Sequence, residues 1–315
     1  MSLLVAIRGW TPDDWIERFR RLAPEREIVD ARRPFDAAAV THAAVWKPEA
    51  GLLARLPGLR AIFNLGAGVD ALLADPALPD VPVARIIDPD LTARMTEWVV
   101  MNVLMHHRQV LARAEDQRRR IWGSRPQPAA RDVTVGIMGL GVLGGDAAQV
   151  LRRLGFGVAG WSRTPRSIDG ITCFSGPVGL DSFLARTDIL VVLLPATPET
   201  RGILRRDLFI RLRRDAHMGG PVLINGGRGG LQVEADILAA LDDGTLAAAS
   251  LDVFETEPLA ETSPLWTHPR VVVTPHCAAD SDPETLARVI VDAVRREEAG
   301  GGLAAETLVD RRAGY

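Results

Sequence analysis

Short apolar runs alternate with helical patterns along almost the whole of this chain, and that alternation is the tightest constraint on what it can fold into. Strand, helix and strand in succession most readily form parallel βαβ units, so the fold class is expected to be α/β with parallel sheets. Strands are expected at Leu3–Ile7, Ile28–Asp30, Ala43–Trp46, Arg60–Phe63 and Val83–Ile87, with helices around Asp14–Leu22 and Pro48–Leu56. Together these make one small doubly wound sheet. A long helix from about Met95 to Arg120 follows and ends at the Pro-rich segment Gly123 to Pro128, the clearest linker in the chain. A second α/β unit then opens at Val133–Met138. Its later strands are expected at Gly157–Trp161, Ile189–Leu194, Val222–Ile224, Ala248–Leu251 and Val271–Thr274, before a closing helix over Pro283–Glu298.

Composition narrows the chemistry. The chain has 315 residues, 47% of them hydrophobic and 24% charged, enough for two ordinary soluble domains. A net charge of -3 argues against a nucleic-acid partner. Lys47 is the only lysine, which removes most Schiff-base chemistry and the phosphate-cradling lysine of a P-loop. Cys173 and Cys277 make neither a disulfide framework nor a cysteine zinc site, and they fit a reducing, cytoplasmic compartment. The opening Leu3-Leu4-Val5-Ala6-Ile7 lacks a preceding basic segment and reads as a strand, not a signal peptide. The longest apolar run, Ile189 to Ala196, falls well short of the ~20 residues of a spanning helix, so no membrane association is expected. The run Arg118-Arg119-Arg120 reads as a solvated helix end, because no aromatic residues interleave it.

Gly139-Leu140-Gly141-Val142-Leu143-Gly144 is a G-x-G-x-x-G that follows an apolar strand and opens a helix. The first glycine permits the tight turn, the second lets the backbone approach a pyrophosphate, and the third lets helix and strand pack closely. The helix N-terminus offers N–H groups and a partial positive charge to the phosphates. An acidic residue about twenty positions on would accept the ribose hydroxyls of NAD. Here the next strand ends instead in Trp161-Ser162-Arg163-Thr164, with no carboxylate until Asp169. An arginine between two hydroxyls suits a 2′-phosphate, so NADP is the expected cofactor and NAD the alternative.

Reduction of a 2-oxo acid needs a group to hold the carboxylate, one to polarise the carbonyl and an acid for the developing alkoxide. A guanidinium meets the first two with its planar fork of donors. A histidinium beside an anion meets the third. Three residues follow the carboxyl ends of expected strands, where open α/β sheets bind ligands. They are Arg228 in Asn225-Gly226-Gly227-Arg228-Gly229, Glu257 in Asp252-Val253-Phe254-Glu255-Thr256-Glu257-Pro258, and His276 in Thr274-Pro275-His276-Cys277-Ala278.

With these segments in order, the chain resembles the D-2-hydroxyacid dehydrogenase family, most closely its glyoxylate/hydroxypyruvate reductase A branch. The resemblance also rests on Leu65-Gly66-Ala67-Gly68-Val69-Asp70, Leu194-Pro195-Ala196-Thr197-Pro198-Glu199-Thr200, Ser263 to Val271 and the terminal Gly314-Tyr315. It implies two doubly wound parallel-sheet domains, with a Rossmann cofactor domain (98–282) inserted into a flavodoxin-like substrate domain (1–97 and 283–315). It implies that Arg228 holds the substrate carboxylate and carbonyl, that His276 is the acid/base and that Glu257 pairs with it. Asp252 would meet the nicotinamide end and Pro195, Ala196 and Thr197 the adenosine side, while Asn225, Gly226, Gly227 and Ala278 would border the cofactor. Leu65, Gly66, Ala67 and Gly68 would form the carboxylate-binding turn and Trp46 a wall of the substrate pocket. The implied activity is NADPH-dependent reduction of glyoxylate and hydroxypyruvate to glycolate and D-glycerate by a homodimer. The alternatives are another branch of the family and a non-catalytic NAD(P)-sensing dimer.

One departure is visible: Gly226-Gly227 stands where the family usually has a bulkier pair ending in alanine, which is expected to loosen Arg228. No metal site is expected, since no two histidines share a helix face with a third ligand. His42, His106, His107, His217 and His268 read as surface or packing residues, and Trp10, Trp15, Trp98 and Trp161 as packing residues. Trp122 lies in the arm before the linker, a region from which a tryptophan of related reductases reaches the partner subunit. Cys277 reads as a small strand-end residue, with redox sensitivity as the alternative.

Overall fold

The computed structural model describes residues 1–9, 11–66, 68–85, 87–215, 219–312 and 314. Trp10, Ala67, His217 and Tyr315 therefore lie outside the described residues. The chain falls into two compact units, Met1–Leu91 with Ser281–Tyr315, and Thr92–Asp280. The first division runs through a helix, Pro89–His107, several residues before the expected break after 97. The reason is packing: Met95, Trp98, Val99 and Val103 of that helix belong to the core of the second unit.

In the first unit, β1 (Ser2–Ile7), β2 (Glu27–Asp30), β3 (Val40–Trp46), β4 (Ala61–Asn64) and β5 (Val83–Arg85) form a sheet of order β2-β1-β3-β4-β5, with every ladder parallel. Alternation along the strands sends Leu3 and Val5 to one apolar layer and Leu4 and Ala6 to the other. Helices α1 (Asp13–Leu22) and α2 (Asp70–Leu73) follow β1 and β4. The helix expected near Pro48–Leu56 is only a 3-10 turn at Leu53–Arg55, because Lys47 and Gly51 adopt φ of 45° and 74°.

The long helix expected to run to Arg120 is two helices, α3 (Pro89–His107) and α4 (Val110–Arg118). They part at Gln109, whose φ is 56°. The linker fastens this break, with Gln127 donating to the His107 carbonyl at 3.3 Å and Gln109 to that of Pro126 at 2.6 Å.

The second unit contains β6 (Thr134–Met138), α5 (Val142–Arg153), β7 (Gly157–Ser162), β8 (Thr172–Ser175), α6 (Gly176–Leu184), β9 (Ile189–Val192), α7 (Arg206–Phe209), β10 (Val222–Asn225), α8 (Glu234–Asp242), β11 (Ala248–Leu251) and β12 (Val271–Val273). Its sheet order is β12-β11-β10-β9-β6-β7-β8, again with every ladder parallel. The chain reverses direction across the sheet between β6 and β9, which is the switch point of a doubly wound sheet. The last helix, α9 (Pro283–Glu298), returns to the first unit and is capped by Asp282, whose carboxylate accepts from Thr285 N at 2.9 Å. Among the described residues, no helix is long and apolar enough to cross a membrane.

His42, His106 and His107 are buried, and each has a packing role. His42 meets Glu297 at 3.1 Å and stacks on Phe63, while His107 packs edge-on against Phe156. His106, 6% exposed, shares a 2.8 Å hydrogen bond with Ser250 Oγ, and burial pushes its pKa down to about 4. An unfolded chain binds that proton below about pH 6.5, whereas the folded one refuses it until about pH 4. Stability from this group is therefore present above about pH 6.5 and is lost on acidification, by about 1.4 kcal/mol per pH unit, down to the folded pKa. His106→Gln keeps an amide for Ser250 but removes the titration. Its melting temperature is expected to fall less steeply between pH 6.5 and 4.5 than that of the parent, and parallel curves would rule the assignment out.

Candidate active site

Parallel registry sets the geometry of the site. Met138 pairs with Val192, Val192 with Asn225, Asn225 with Leu251 and Leu251 with Val273, so these strands end in one row. The segments leaving that row carry Gly139–Gly144, Pro195–Thr197, Asn225–Arg228, Asp252–Glu257 and Thr274–Ala278.

At the switch point, each glycine of the first turn meets a different demand. Gly139 has a φ of 106°, and a Cβ there would lie 2.7 Å from the Leu193 carbonyl oxygen. A Cβ at Gly144 would sit on the Gly139 carbonyl, so the third glycine lets α5 close against the turn. A Cβ at Gly141 would meet nothing within 4 Å, which leaves open space beside the helix N-cap. Val142 is exposed and Leu143 packs at the edge of the core. This cradle fits a dinucleotide pyrophosphate: two glycines are needed for packing and the middle one faces room for a ligand.

After β7, Ser162 is buried and donates to the Thr164 carbonyl at 2.8 Å, shaping the turn that carries exposed Arg163 and Thr164. Arg163 helps to lower the Glu199 pKa, after the larger effects of the Thr197 side-chain bond and a backbone hydrogen bond. Thr197 is itself buried, with its N–H bonded to Thr200 Oγ1 at 2.8 Å, and Thr200 Oγ1 donates to the Pro195 carbonyl at 2.8 Å. The Pro195-Ala196-Thr197 turn is thus locked by one hydroxyl.

Asn225 is fully buried and governs the arginine loop. Its Oδ1 accepts from Gly227 N at 3.0 Å, and its Nδ2 donates to the Arg228 carbonyl at 3.3 Å. The expected looseness of Gly226-Gly227 is not what the packing provides. A Cβ on Gly226 would lie 2.9 Å from the Trp98 ring, and one on Gly227 2.8 Å from the Leu194 carbonyl oxygen. Glycine is required at both positions by close neighbours, and the loop is pinned. Arg228 is half-buried, with Nη1 donating to the Gly227 carbonyl at 2.7 Å.

The histidine loop hangs on Asp252, which is 1% exposed. Its Oδ1 accepts from Thr274 Oγ1 at 2.5 Å and Cys277 N at 3.0 Å, its Oδ2 from Ala278 N at 3.1 Å, and its carbonyl from His276 N at 2.8 Å. His276 Nδ1 meets Glu257 Oε2 at 2.7 Å, and the other oxygen of Glu257 accepts from Phe254 N at 3.1 Å. With Nδ1 engaged, Nε2 is the ring nitrogen left to meet a substrate. Partial burial, then the Asp252 and Asp280 carboxylates, push the Cys277 thiol up, the opposite of an activated thiolate.

In the first unit, Trp46 and Gly66 pack face to face: a Cβ on Gly66 would collide with the indole ring. Asn64, 2% exposed, donates to the carbonyls of Gly66 and Gly68 at 2.7 and 2.9 Å, while Leu65 sends its side chain into the core. Ala67, expected in this turn, lies outside the described residues. A cavity of about 490 Å³ in the same unit opens among Arg8, Arg32, Phe35 and Leu52, and among the described residues none expected to bind substrate lines it. Sequence reasoning missed Asn64, Thr274 and Gln232. Only Asn64 carried a signal, as a polar residue ending an apolar strand just before a glycine turn.

A parallel sheet of this order, with a glycine cradle at its switch point and an ionisable pair on a neighbouring loop, defines the dinucleotide-dependent class of α/β enzymes. The chain belongs to the D-isomer specific 2-hydroxyacid dehydrogenase family, whose NAD binding domain matches residues 100–278. It is 39% identical over 292 residues to glyoxylate/hydroxypyruvate reductase A of Yersinia enterocolitica serotype O:8 / biotype 1B, covering 91% of each chain. Among solved structures, it is similar to an NADPH-dependent glyoxylate/hydroxypyruvate reductase from Sinorhizobium meliloti in complex with NADP and sulfate (47% identity, all of both chains, TM-score 0.93). It is also similar to a probable 2-hydroxyacid dehydrogenase from Rhizobium etli CFN 42 in complex with NADP, HEPES and L(+)-tartaric acid (46% identity, 100% and 99% of the chains, TM-score 0.94).

Proposed function

We propose that this protein is an NADPH-dependent reductase of small 2-oxo acids, converting glyoxylate and hydroxypyruvate to glycolate and D-glycerate. The observation that carries the reading is the 2.7 Å His276–Glu257 contact on the sheet edge that also bears the Arg228 loop. Relatives of near-complete coverage that are named for this activity support it.

NADPH, held by the glycine turn and the Ser162-Arg163-Thr164 segment, would supply the hydride for reduction of the carbonyl. Arg228 holds the substrate carboxylate and draws electron density towards the carbonyl oxygen, using donors that a lysine would lack. His276 gives its Nε2 proton to that oxygen as it becomes an alkoxide, leaving a neutral hydroxyl on the product and a neutral imidazole. Glu257 fixes the ring through Nδ1 and stabilises the imidazolium before transfer. Asp252 would border the nicotinamide side and Pro195, Ala196 and Thr197 the adenosine side, with Asn225, Gly226, Gly227 and Ala278 also facing the cofactor. In the first unit, Trp46, Leu65, Gly66 and Gly68 are the proposed substrate contacts. The substrate domain corresponds to the first unit, Met1–Leu91 with Ser281–Tyr315, and the cofactor domain to the second, Thr92–Asp280. Ser162, Arg163 and Thr164 take the 2′-phosphate, a reading supported by the NADP complexes of both similar structures.

The protein acts in the cytoplasm as a homodimer. Supporting the dimer, α4 buries no residue, and the arm after it exposes Ile121 and Trp122 at 46% and 103%. Light scattering is expected to return twice the chain mass of 34.1 kDa, and a monomer mass would remove the dimer.

Following NADPH and NADH oxidation with glyoxylate, hydroxypyruvate and pyruvate tests the function, and no turnover with any of them would overturn it. Arg163→Asp puts a repulsive charge where the phosphate binds, so preference is expected to swing from NADPH towards NADH. A parent enzyme that already uses the two equally would contradict the phosphate assignment.

Glu257→Gln keeps a hydrogen-bonding partner for His276 but removes the carboxylate that holds Nδ1 at 2.7 Å. The reductive rate is expected to fall roughly tenfold or more and its pH profile to change. An unmoved pH profile would show that Glu257 does not tune His276.

A further inference from the structure

The loop that carries Arg228 and the loop that carries Glu257 leave adjacent strands, yet strand pairing ends at Asn225 and Leu251. Beyond that point, Glu234 and Glu255 exchange bonds near the surface, each carboxylate accepting from the other's N–H at 2.7 Å, and one buried side chain spans the gap beneath them. Gln232 is 2% exposed, its Oε1 accepts from Asn225 Nδ2 at 2.8 Å, and its Nε2 donates to the Val253 carbonyl at 2.9 Å.

The orientation of both amides is forced. Gly227 offers Asn225 a main-chain N–H, so Asn225 must turn its oxygen there and its nitrogen towards Gln232. Val253 offers only a carbonyl, so Gln232 must turn its nitrogen towards it. The bonds therefore run in one direction from the arginine loop to the glutamate loop. The next residue, Phe254, donates its N–H to Glu257, which in turn meets His276. Independently of these bonds, a Cβ on Gly229 would collide with the Phe254 carbonyl, so the two loops are pressed backbone to backbone where Gln232 ties them.

We propose that Gln232 is a positioning residue that sets the register between Arg228, which docks the substrate carboxylate, and the Glu257–His276 pair, which delivers the proton. The inference rests on the roles given above to those three residues. Gln232 touches neither substrate nor cofactor in this role. It acts by keeping the carboxylate anchor and the acid at a fixed separation, and displacements of about 1 Å in such arrangements cost up to about a hundredfold in rate.

The test is steady-state reduction of glyoxylate across pH by the parent, Gln232→Met, Arg228→Lys and the double variant, with NADPH affinity measured by fluorescence. Gln232→Met keeps the length and burial of the side chain and removes both hydrogen bonds. It is expected to lower kcat/KM roughly ten- to hundredfold, with KM for glyoxylate raised and the alkaline limb displaced. NADPH affinity should stay within about twofold, because the phosphate turn lies on other strands. In the double variant, adding Gln232→Met to Arg228→Lys should cost less than about threefold further, since the anchor it positions is already damaged. Asn225→Asp breaks the chain at its other link, retaining the acceptor for Gly227 and losing the donor to both Gln232 and the Arg228 carbonyl. It is expected to reproduce the same losses, and it stands in if Gln232→Met does not fold.

A damaging Arg228→Lys beside a Gln232→Met that changes neither kcat/KM nor the pH limb would overturn the clamp and leave the catalytic reading standing. Full additivity of the two substitutions would overturn it as well, by showing that Gln232 does not act through the anchor. An Arg228→Lys variant within about threefold of the parent would overturn the catalytic reading itself, and the clamp with it.

Discussion

All six ladders of the seven-stranded sheet are parallel, and the chemistry of this protein depends on that one constraint. Parallel strands must each be followed by a crossover before the chain can pair again, so their carboxyl ends collect on one edge. Residues far apart in sequence, such as Gly139, Arg228 and His276, then leave the sheet side by side. The same arrangement leaves both faces of the sheet to be covered. Leu190 and Val192 of β9 enter one apolar layer, and Ile189 and Val191 enter the other. A strand buried on both sides cannot slip in register without exposing part of a core, so the row of strand ends is stiff.

On that edge, side chains give way to backbone at the points of closest approach. Gly144 lies against the carbonyl of Gly139, Gly227 against that of Leu194, and Gly229 against that of Phe254. Each contact draws a loop in by the width of a methyl group. The polar groups exposed by such proximity must then be paired, because an unsatisfied buried amide or carbonyl costs about 1–3 kcal/mol. Asn225, Gln232, Thr200 and Asp252 meet that demand, each bonded to main-chain groups of its own or a neighbouring loop.

Much of this was legible in the sequence wherever a local rule decided the outcome. Helix α9 runs over Pro283–Glu298 as expected because Asp282 caps it, Pro283 opens it and its apolar face repeats at helical spacing. The glycine turn was legible because steric need for Gly139 and Gly144 is written in their identity. Where distant groups decide, the sequence was silent. Gln109 breaks the long helix through a left-handed residue tied to the linker by Pro126 and Gln127, and glutamine itself gives no sign of it. Strand β8 is a partly exposed edge, so Thr172–Ser175 lacks the apolar run that marks β9. Arg228, Glu257 and His276 could be picked out because each follows a strand. The brace between their loops could not, because nothing in Leu231-Gln232-Val233 distinguishes a surface glutamine from a buried one.

The backbone of His276 shows why the site needs such bracing. Its φ of 52° lies in the left-handed region, where a non-glycine residue costs on the order of 1 kcal/mol or more. A glycine would relieve the strain but remove the imidazole proposed as the acid, so with histidine here the conformation must be imposed from outside. Asp252 imposes it. Its carbonyl holds the N–H of His276, and its carboxylate holds Thr274 on one side of the bend and Cys277 and Ala278 on the other. Because β11 lies between β10 and β12, Asp252 sits beside the strand that feeds this loop and can reach across to it without leaving the core. The left-handed turn, the 2.7 Å reach from Nδ1 to Glu257 and the buried carboxylate beneath are thus one arrangement: releasing any one removes the reason for the other two.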